Sequence, residues 1–228
     1  MTAAAGSDPD DRQEGDGSGG DRPALLSALV TEHFVLQSSR STLTGESGSR
    51  SSLYLAVLSS TLVATGFLGS SGVALGPFLA CVLPVVIGLG VLSWARLVEL
   101  NVEDLRYLRA MQRIRAYYTR LTPDAPGFFP DLDPALAPDT IGGVLAYMGL
   151  RPGPRQLLFT AAATLAAVNS AVAGIGVALL VRAATGLLPV GVAVGIATFA
   201  LCYGLSLAAQ WRRNVTAFAA QGGAAVAG

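Results

Sequence analysis

Four long apolar stretches dominate the pattern of hydrophobic and polar positions along the chain. None of them contains a charged side chain, and they cover residues 53–68, 78–94, 157–181 and 187–211. A helix needs roughly 17–25 mostly apolar residues to cross the hydrocarbon core of a bilayer. The pattern therefore predicts an all-α, polytopic membrane protein with four transmembrane helices. They form two hairpins, residues 51–95 and 156–211, that pack as one bundle.

An amphipathic pattern precedes the first span. Its leucines recur on one helical stripe, at Leu25, Leu29, Leu36 and Leu43. We therefore predict a cytoplasmic juxtamembrane helix over residues 22–50, with Pro23 in its first turn, where a missing N–H is tolerated. Gly45 and Gly48 each cost about 1 kcal/mol relative to alanine. The helix either breaks at these glycines or lets another helix approach closely.

The helical pattern also continues beyond the second span. No Gly or Pro interrupts residues 93–122, and Leu108, Met111 and Ile114 lie on an apolar side of the helical wheel. We predict that span two extends into the cytoplasm as a helix over residues 96–122. Its apolar stripe should pack on the leucine stripe of residues 22–50.

The remaining segments are small, polar or rich in proline. Residues 1–21 consist mainly of Gly, Asp, Ser and Ala, which predicts a disordered tail. Residues 123–155 hold most of the prolines and predict a cytoplasmic loop, with a short helix from Asp139 to Met148. Residues 212–228 predict a cytoplasmic tail that frays.

Arginine-rich and arginine-poor segments alternate along the chain. The segment before span one, the block between spans two and three and the tail after span four are rich in Arg. The link at residues 69–77 has no charge, and the link between spans three and four has only Arg182. Cytoplasmic flanks carry the excess of basic residues. We therefore expect a multi-pass protein of the plasma membrane, in contact with the lipid bilayer, with both termini cytoplasmic.

The composition agrees with a membrane protein and limits the kinds of functional site that the chain can form. Hydrophobic residues make up 52% of the 228 residues and charged residues 13%, against about 25% in soluble domains. The formal net charge is zero, and we expect no nucleic-acid partner. Two cysteines exclude a disulfide framework and a cysteine-based zinc site. We find no nucleophile, metal-binding or phosphate-binding motif, so we predict no enzyme, no cofactor and no metal.

Two features stand out as candidate contact sites. Asn169 is the only strongly polar side chain within span three. A buried amide in a bilayer usually bonds across helices, at about 1 kcal/mol, so a packing role is favoured over a place in a permeation path.

Gly191 and Gly195 form a GxxxG motif, which serves packing either within the subunit or in a homo-oligomer.

A basic face is the third candidate. It consists of Arg106, Arg109, Arg113 and Arg120 on the predicted extension of span two. Its simplest role is a solvated face that fixes the topology. Contact with anionic lipid headgroups, at about 1 kcal/mol per arginine near the surface, is the second interpretation. Binding of an anionic ligand is the third, and no Gly-rich phosphate loop supports it.

Two stretches carry a resemblance. TEHFVLQSSRSTLTGESGSRSSLYLAVLSS (residues 31–60) and VEDLRYLRAMQRIRAYY (residues 102–118) resemble a family of uncharacterised actinobacterial integral membrane proteins with this layout. The layout alone is similar, more distantly, to membrane effectors of bacterial antiphage systems. The leading hypothesis is a non-catalytic membrane scaffold or sensor that acts through contacts with an unidentified protein partner or in a homo-oligomer. The alternative is a small pore, channel or transporter, including a membrane-permeabilising defence effector.

Overall fold

The computed structural model describes residues 17–71, 74–121, 124 and 158–224. The regular secondary structure of this part of the chain is helical, without a strand. Its four long helices are α1 (Gly17–Ser70), α2 (Leu75–Tyr118), α3 (Ala161–Thr185) and α4 (Leu188–Ala224). Each is long and apolar enough to cross a membrane, judged by length and composition. The predicted all-α class with four long apolar helices is confirmed.

Helix α1 is continuous over 54 residues. It joins the predicted juxtamembrane helix to the first span without a break at Gly45 or Gly48, and at 1.5 Å per residue it is about 80 Å long. It begins at Gly17, inside the segment for which we expect disorder, so Pro23 lies within the helix instead of in its first turn. Because about 20 residues suffice to cross a bilayer, much of α1 extends beyond the span.

Helix α2 also continues past its apolar part and ends at Tyr118. Residues 22–50 of α1 and 96–118 of α2, here called the extension pair, run antiparallel and pack together. Leu36 is buried against Met111 and Ile114, and Leu29 and Tyr107 flank this contact. The prediction that the two apolar stripes pack on each other is confirmed.

Helices α3 and α4 form a tight hairpin with bounds that differ from the prediction. α3 starts at Ala161, after the predicted start of the span, because Thr160 caps it: its Oγ1 accepts a hydrogen bond from the N–H of Ala163 at 3.2 Å. The helix ends where Gly186 adopts a φ of 71°, a left-handed conformation that glycine tolerates. α4 then continues to Ala224, through residues that we expected to fray.

The backbones of α3 and α4 touch at their glycines. A Cβ on Gly195 would lie 2.7 Å from the carbonyl oxygen of Gly174 and 2.8 Å from the Cβ of Ala178. A Cβ on Gly191 would lie 2.7 Å from the carbonyl oxygen of Ala178. Of the two roles left open for the GxxxG motif, the structure therefore shows packing within the chain.

Helices α2 and α3 form the centre of the bundle. α2 packs against α1 on one side and α3 on the other, while α3 packs along α4. The buried core combines side chains of α1, α2 and α3, among them Tyr54, Val86, Leu97 and Leu165. α1 therefore lies at an edge of the bundle and presents one side to its surroundings.

Several predicted features lie outside the described residues. They are the tail before residue 17, the short helix from Asp139 to Met148 with most of the proline-rich loop, and the last residues after 224.

Candidate functional site

A polar junction joins α1, α2 and α3 within the core. Tyr54 of α1 is fully buried, and its hydroxyl donates a hydrogen bond to Oδ1 of Asn169 in α3 at 3.2 Å. Gly90 of α2 lies against both side chains: a Cβ there would overlap the Asn169 amide and lie 2.9 Å from Cε2 of Tyr54. Asn169 thus makes a cross-helix bond of the kind expected for it, and glycine is required at position 90.

Sequence reasoning missed Tyr54 and Gly90. Their partner Asn169 is far away in the chain, and no periodic pattern connects them. One signal was available, since a tyrosine at the start of an apolar stretch needs a partner for its hydroxyl when it is buried. Gln210 of α4 was missed as well: it is fully buried and donates from Nε2 to Oγ1 of Thr160 at 2.9 Å.

Ion pairs tie the extension pair together beside its apolar contact. Arg40 donates to both carboxylate oxygens of Asp104, at 2.6 and 3.3 Å. Arg96 binds both carboxylate oxygens of Glu46, at 3.0 and 3.3 Å. The four side chains are about one-third exposed, so solvent screening keeps the contribution of each pair to stability small. These pairs fix the register of α1 against α2.

The Glu46 carboxylate lies at the centre of a small charged cluster. Hydrogen bonds from Arg96 and then from Arg50 hold the pKa of Glu46 below its usual value. The same contact with Glu46, followed by one with Glu99, raises the pKa of Arg96. Both groups therefore stay charged at neutral pH.

The four arginines of the basic face do not share one environment. Arg106, Arg113 and Arg120 are exposed, whereas Arg109 is only 4% exposed. The expectation of a single solvated face is therefore wrong for Arg109, and burial removes this side chain from contact with lipid headgroups. A helical wheel shows which residues share a face, but it does not show how deeply each of them is buried.

Arg106 borders a cavity of mixed charge. The cavity has a volume of about 460 Å³ and lies between α2 and the end of α4. Arg106 and Arg213 supply its positive groups, while Glu99 and Glu103 supply negative ones. The carboxylates oppose the binding of an anion here, so the geometry gives no support to an anionic-ligand site.

Several hydroxyls within the apolar stretches bond to their own helices. Ser60, Thr61 and Thr65 of α1 each donate to the carbonyl oxygen four residues earlier, at 2.7–2.9 Å. Thr164 of α3 does the same at 3.3 Å. Such bonds satisfy a hydroxyl inside the bilayer without water. These side chains therefore need no aqueous path.

Within the described ranges, no group of His, Cys, Asp and Glu side chains could hold a metal ion. The arrangement of α1 to α4 defines a class, that of helical bundles with four helices able to span a membrane. No family profile, curated protein or solved structure matches the chain. Its function must therefore be argued from its own surfaces and cavities.

Proposed function

We propose that the protein is a non-catalytic, multi-pass membrane scaffold or sensor that acts through protein contacts. The observation that carries this proposal is the outer face of α1, the side turned away from α2. Within the extension pair, beyond the apolar span, Phe34 is 68% exposed, and Val30 and Val35 are about half exposed. In the topology that the arginines predict, this part of α1 lies outside the lipid tails, and apolar side chains there fit a protein partner.

Small residues continue the outer face along the helix. They are exposed and uncharged, and comprise Ser38, Ser41, Gly45, Gly48, Ser52, Ser59 and Gly66. A Cβ on Gly45, Gly48 or Gly66 would meet no atom within 4 Å. Each glycine costs a helix about 1 kcal/mol relative to alanine, and nothing in the described chain approaches them to offset this cost. A second helix packed on this face would use the space, because small residues let backbones approach.

A second copy of the chain is the first partner to test. In a Cys81→Ala/Cys202→Ala background, cysteine at Ser41 or Gly45 should form an oxidised dimer in native membranes. Cysteine at Glu32, which is exposed beside the α2-facing stripe, is the matched control and should remain monomeric. Gly48→Ile should weaken the dimer, because it fills the outer face. If none of the outer-face positions forms a crosslink, the hypothesis of a homo-oligomer through α1 is wrong.

The alternation of arginines supports placement in the plasma membrane with both termini in the cytoplasm. A reporter that is active only in the cytoplasm should be active after Gly228 or near Ala125. The same reporter inserted near Gly72 should be silent. The reverse pattern would contradict this topology and leave the helical architecture unchanged.

Ion flux separates this proposal from a pore. The purified protein in liposomes should show flux near that of empty liposomes, because Ser60, Thr61, Thr65 and Thr164 bond to their own helices and need no water. Robust single-channel currents, altered in amplitude by Asn169→Leu, would replace the scaffold with a pore or a membrane-permeabilising effector.

A further inference from the structure

A second cavity lies between α2, α3 and α4 beside the Tyr54–Asn169 junction. Its volume is about 260 Å³. Most of its wall is apolar, formed by Ile87, Val91, Ala166, Ala173 and Leu205. Largely apolar cavities with a few placed polar groups are the usual form of small-molecule sites.

Two polar side chains in this wall, Asn169 and Ser170, carry donors that make no hydrogen bond among the described residues, whereas Ser206 donates to the carbonyl oxygen of Cys202 at 2.8 Å. Asn169 is 9% exposed; its Oδ1 already accepts from Tyr54, and no hydrogen bond from its amide nitrogen is found among the described residues. Ser170 is 4% exposed and likewise makes no hydrogen bond there. Trp94 also lines the cavity, but its indole nitrogen is fully buried and does not face this space.

We propose that this cavity binds a neutral, largely apolar molecule through a carbonyl oxygen. A carbonyl oxygen has two lone pairs and can accept from the two donors that Asn169 and Ser170 present. No charged side chain lines the cavity, so an ion would be left uncompensated. Water alone fits poorly, because each molecule needs two to four polar partners and the space exceeds that of one water several times.

The site stands apart from the outer face of α1. None of the side chains that line the cavity belongs to α1. Binding of a carbonyl compound would therefore remain even if no protein partner packs on α1, and the two proposals fail separately.

Trp94 provides a direct reporter of occupancy. The chain has two tryptophans, and Trp211 is 44% exposed on α4, so a Trp211→Phe variant leaves Trp94 as the single fluorophore. The full-length variant is placed in nanodiscs of ether-linked phospholipid, which has no ester carbonyl. Benzophenone, a neutral diaryl ketone, should quench Trp94 fluorescence saturably.

The requirement for a carbonyl is tested by competition. Dicyclohexyl ketone and dicyclohexylmethane have similar size and differ by the carbonyl group. The ketone should displace benzophenone at an about tenfold lower concentration, because one hydrogen bond to a carbonyl in this setting corresponds to about a tenfold change in affinity. Equal competition by the two compounds would overturn the proposal.

Substitutions in the chain complete the test. Ala173→Leu should abolish saturable quenching by filling the cavity, and Ser170→Ala should weaken benzophenone binding several-fold. Thr198→Ala is the control, since Thr198 is an exposed hydroxyl of α4 that donates to the carbonyl of Val194. If quenching is linear with concentration and the same in Ala173→Leu, benzophenone only partitions into lipid and the site does not exist.

The natural carbonyl could belong to a lipid ester or to a free small molecule. The same titration in ester-linked phospholipid separates the two sources. Weaker apparent binding of benzophenone there than in ether-linked lipid identifies the lipid ester as the occupant. Equal binding in both lipids identifies a free molecule.

Discussion

The two hairpins of this protein are held together in different ways. α3 and α4 approach until the backbone of Gly195 meets that of Gly174, and no side chain separates them there. Between α1 and α2, large side chains such as Tyr54 and Leu36 fill the interface, and ion pairs hold the two helices together in the extension pair. The comparison shows one residue type in two settings: the glycines of α3 and α4 are covered within the chain, and several of α1 are open.

The largest contrast should appear between a covered and an open glycine. Gly195→Ala should lower the free energy of unfolding by about 1–3 kcal/mol, because the new Cβ would collide with Ala178. Gly66→Ala should raise the free energy of unfolding of the monomer by up to about 1 kcal/mol, because the new Cβ would meet no other atom within 4 Å. Unfolding in detergent, at dilutions that keep the chain monomeric, measures both. Similar losses in both variants would show that the two hairpins do not differ in this way.

A second pair of glycines tests the junction between the hairpins. Gly90→Ala should cost about 1–3 kcal/mol, because the added methyl group overlaps Asn169. Gly88→Ala, two positions away on the same helix, meets nothing within 4 Å and should be neutral or slightly stabilising. Thermal unfolding of the two variants side by side gives the difference. Equal stability would mean that α2 and α3 are not in close contact at Gly90.

A smaller effect should come from the hydrogen bond across the junction. Tyr54→Phe removes the donor to Asn169 and should cost about 1 kcal/mol, the usual value for a bond between helices in a membrane. A double-mutant cycle with Asn169→Leu should give a coupling energy of similar size. A coupling energy near zero would show that the hydrogen bond between the two side chains does not contribute to stability.

The smallest effect concerns the charges of the extension pair and depends on pH. Because its arginine partners lower the pKa of Glu46 in the folded protein, the stabilisation is complete above the ordinary carboxyl pKa. It is lost as the pH falls through the lower, folded-state pKa. Thermal stability should therefore decline with acidification below about pH 4.5, the region where free glutamate titrates.

Glu46→Gln should flatten this acid dependence. Glu32→Gln is the matched control, because Glu32 lies on the same helix and forms no ion pair among the described residues. An acid profile that Glu46→Gln leaves unchanged would show that another carboxylate controls it.

The periodicity of the sequence predicted the features that belong to a single helix, such as which of its faces is buried. The leucine stripe of α1 identified Leu36 as a core residue, because three- and four-residue spacing reports which face is buried. Asn169 stood out because one amide in an apolar helix needs a partner. The continuity of α1 through Gly45 and Gly48 was left open, since glycine weakens a helix without ending it.

The parts that sequence could not predict depend on several helices meeting. Tyr54, Gly90 and Asn169 come together only once the register between α1, α2 and α3 is known. The burial of Arg109 could not be predicted either, because a helical wheel shows faces but does not show what covers them. The start of α3 was also missed, because the apolar run continues on both sides of Thr160. The helix nevertheless begins at Ala161, where the hydroxyl of Thr160 caps it.

The unbroken length of α1 makes it a lever. From Tyr54 to Gly17 the helix spans about 55 Å, at 1.5 Å per residue. If α1 tilted by about 5° around Tyr54, its end at Gly17 would move by about 5 Å, because the helix rises 1.5 Å per residue over this distance. Because ion pairs couple α2 to this part of α1, both helices would swing together. A small tilt of α1 at the junction with Gly90 and Asn169 would thus become a movement of several ångströms at the far end of the helix.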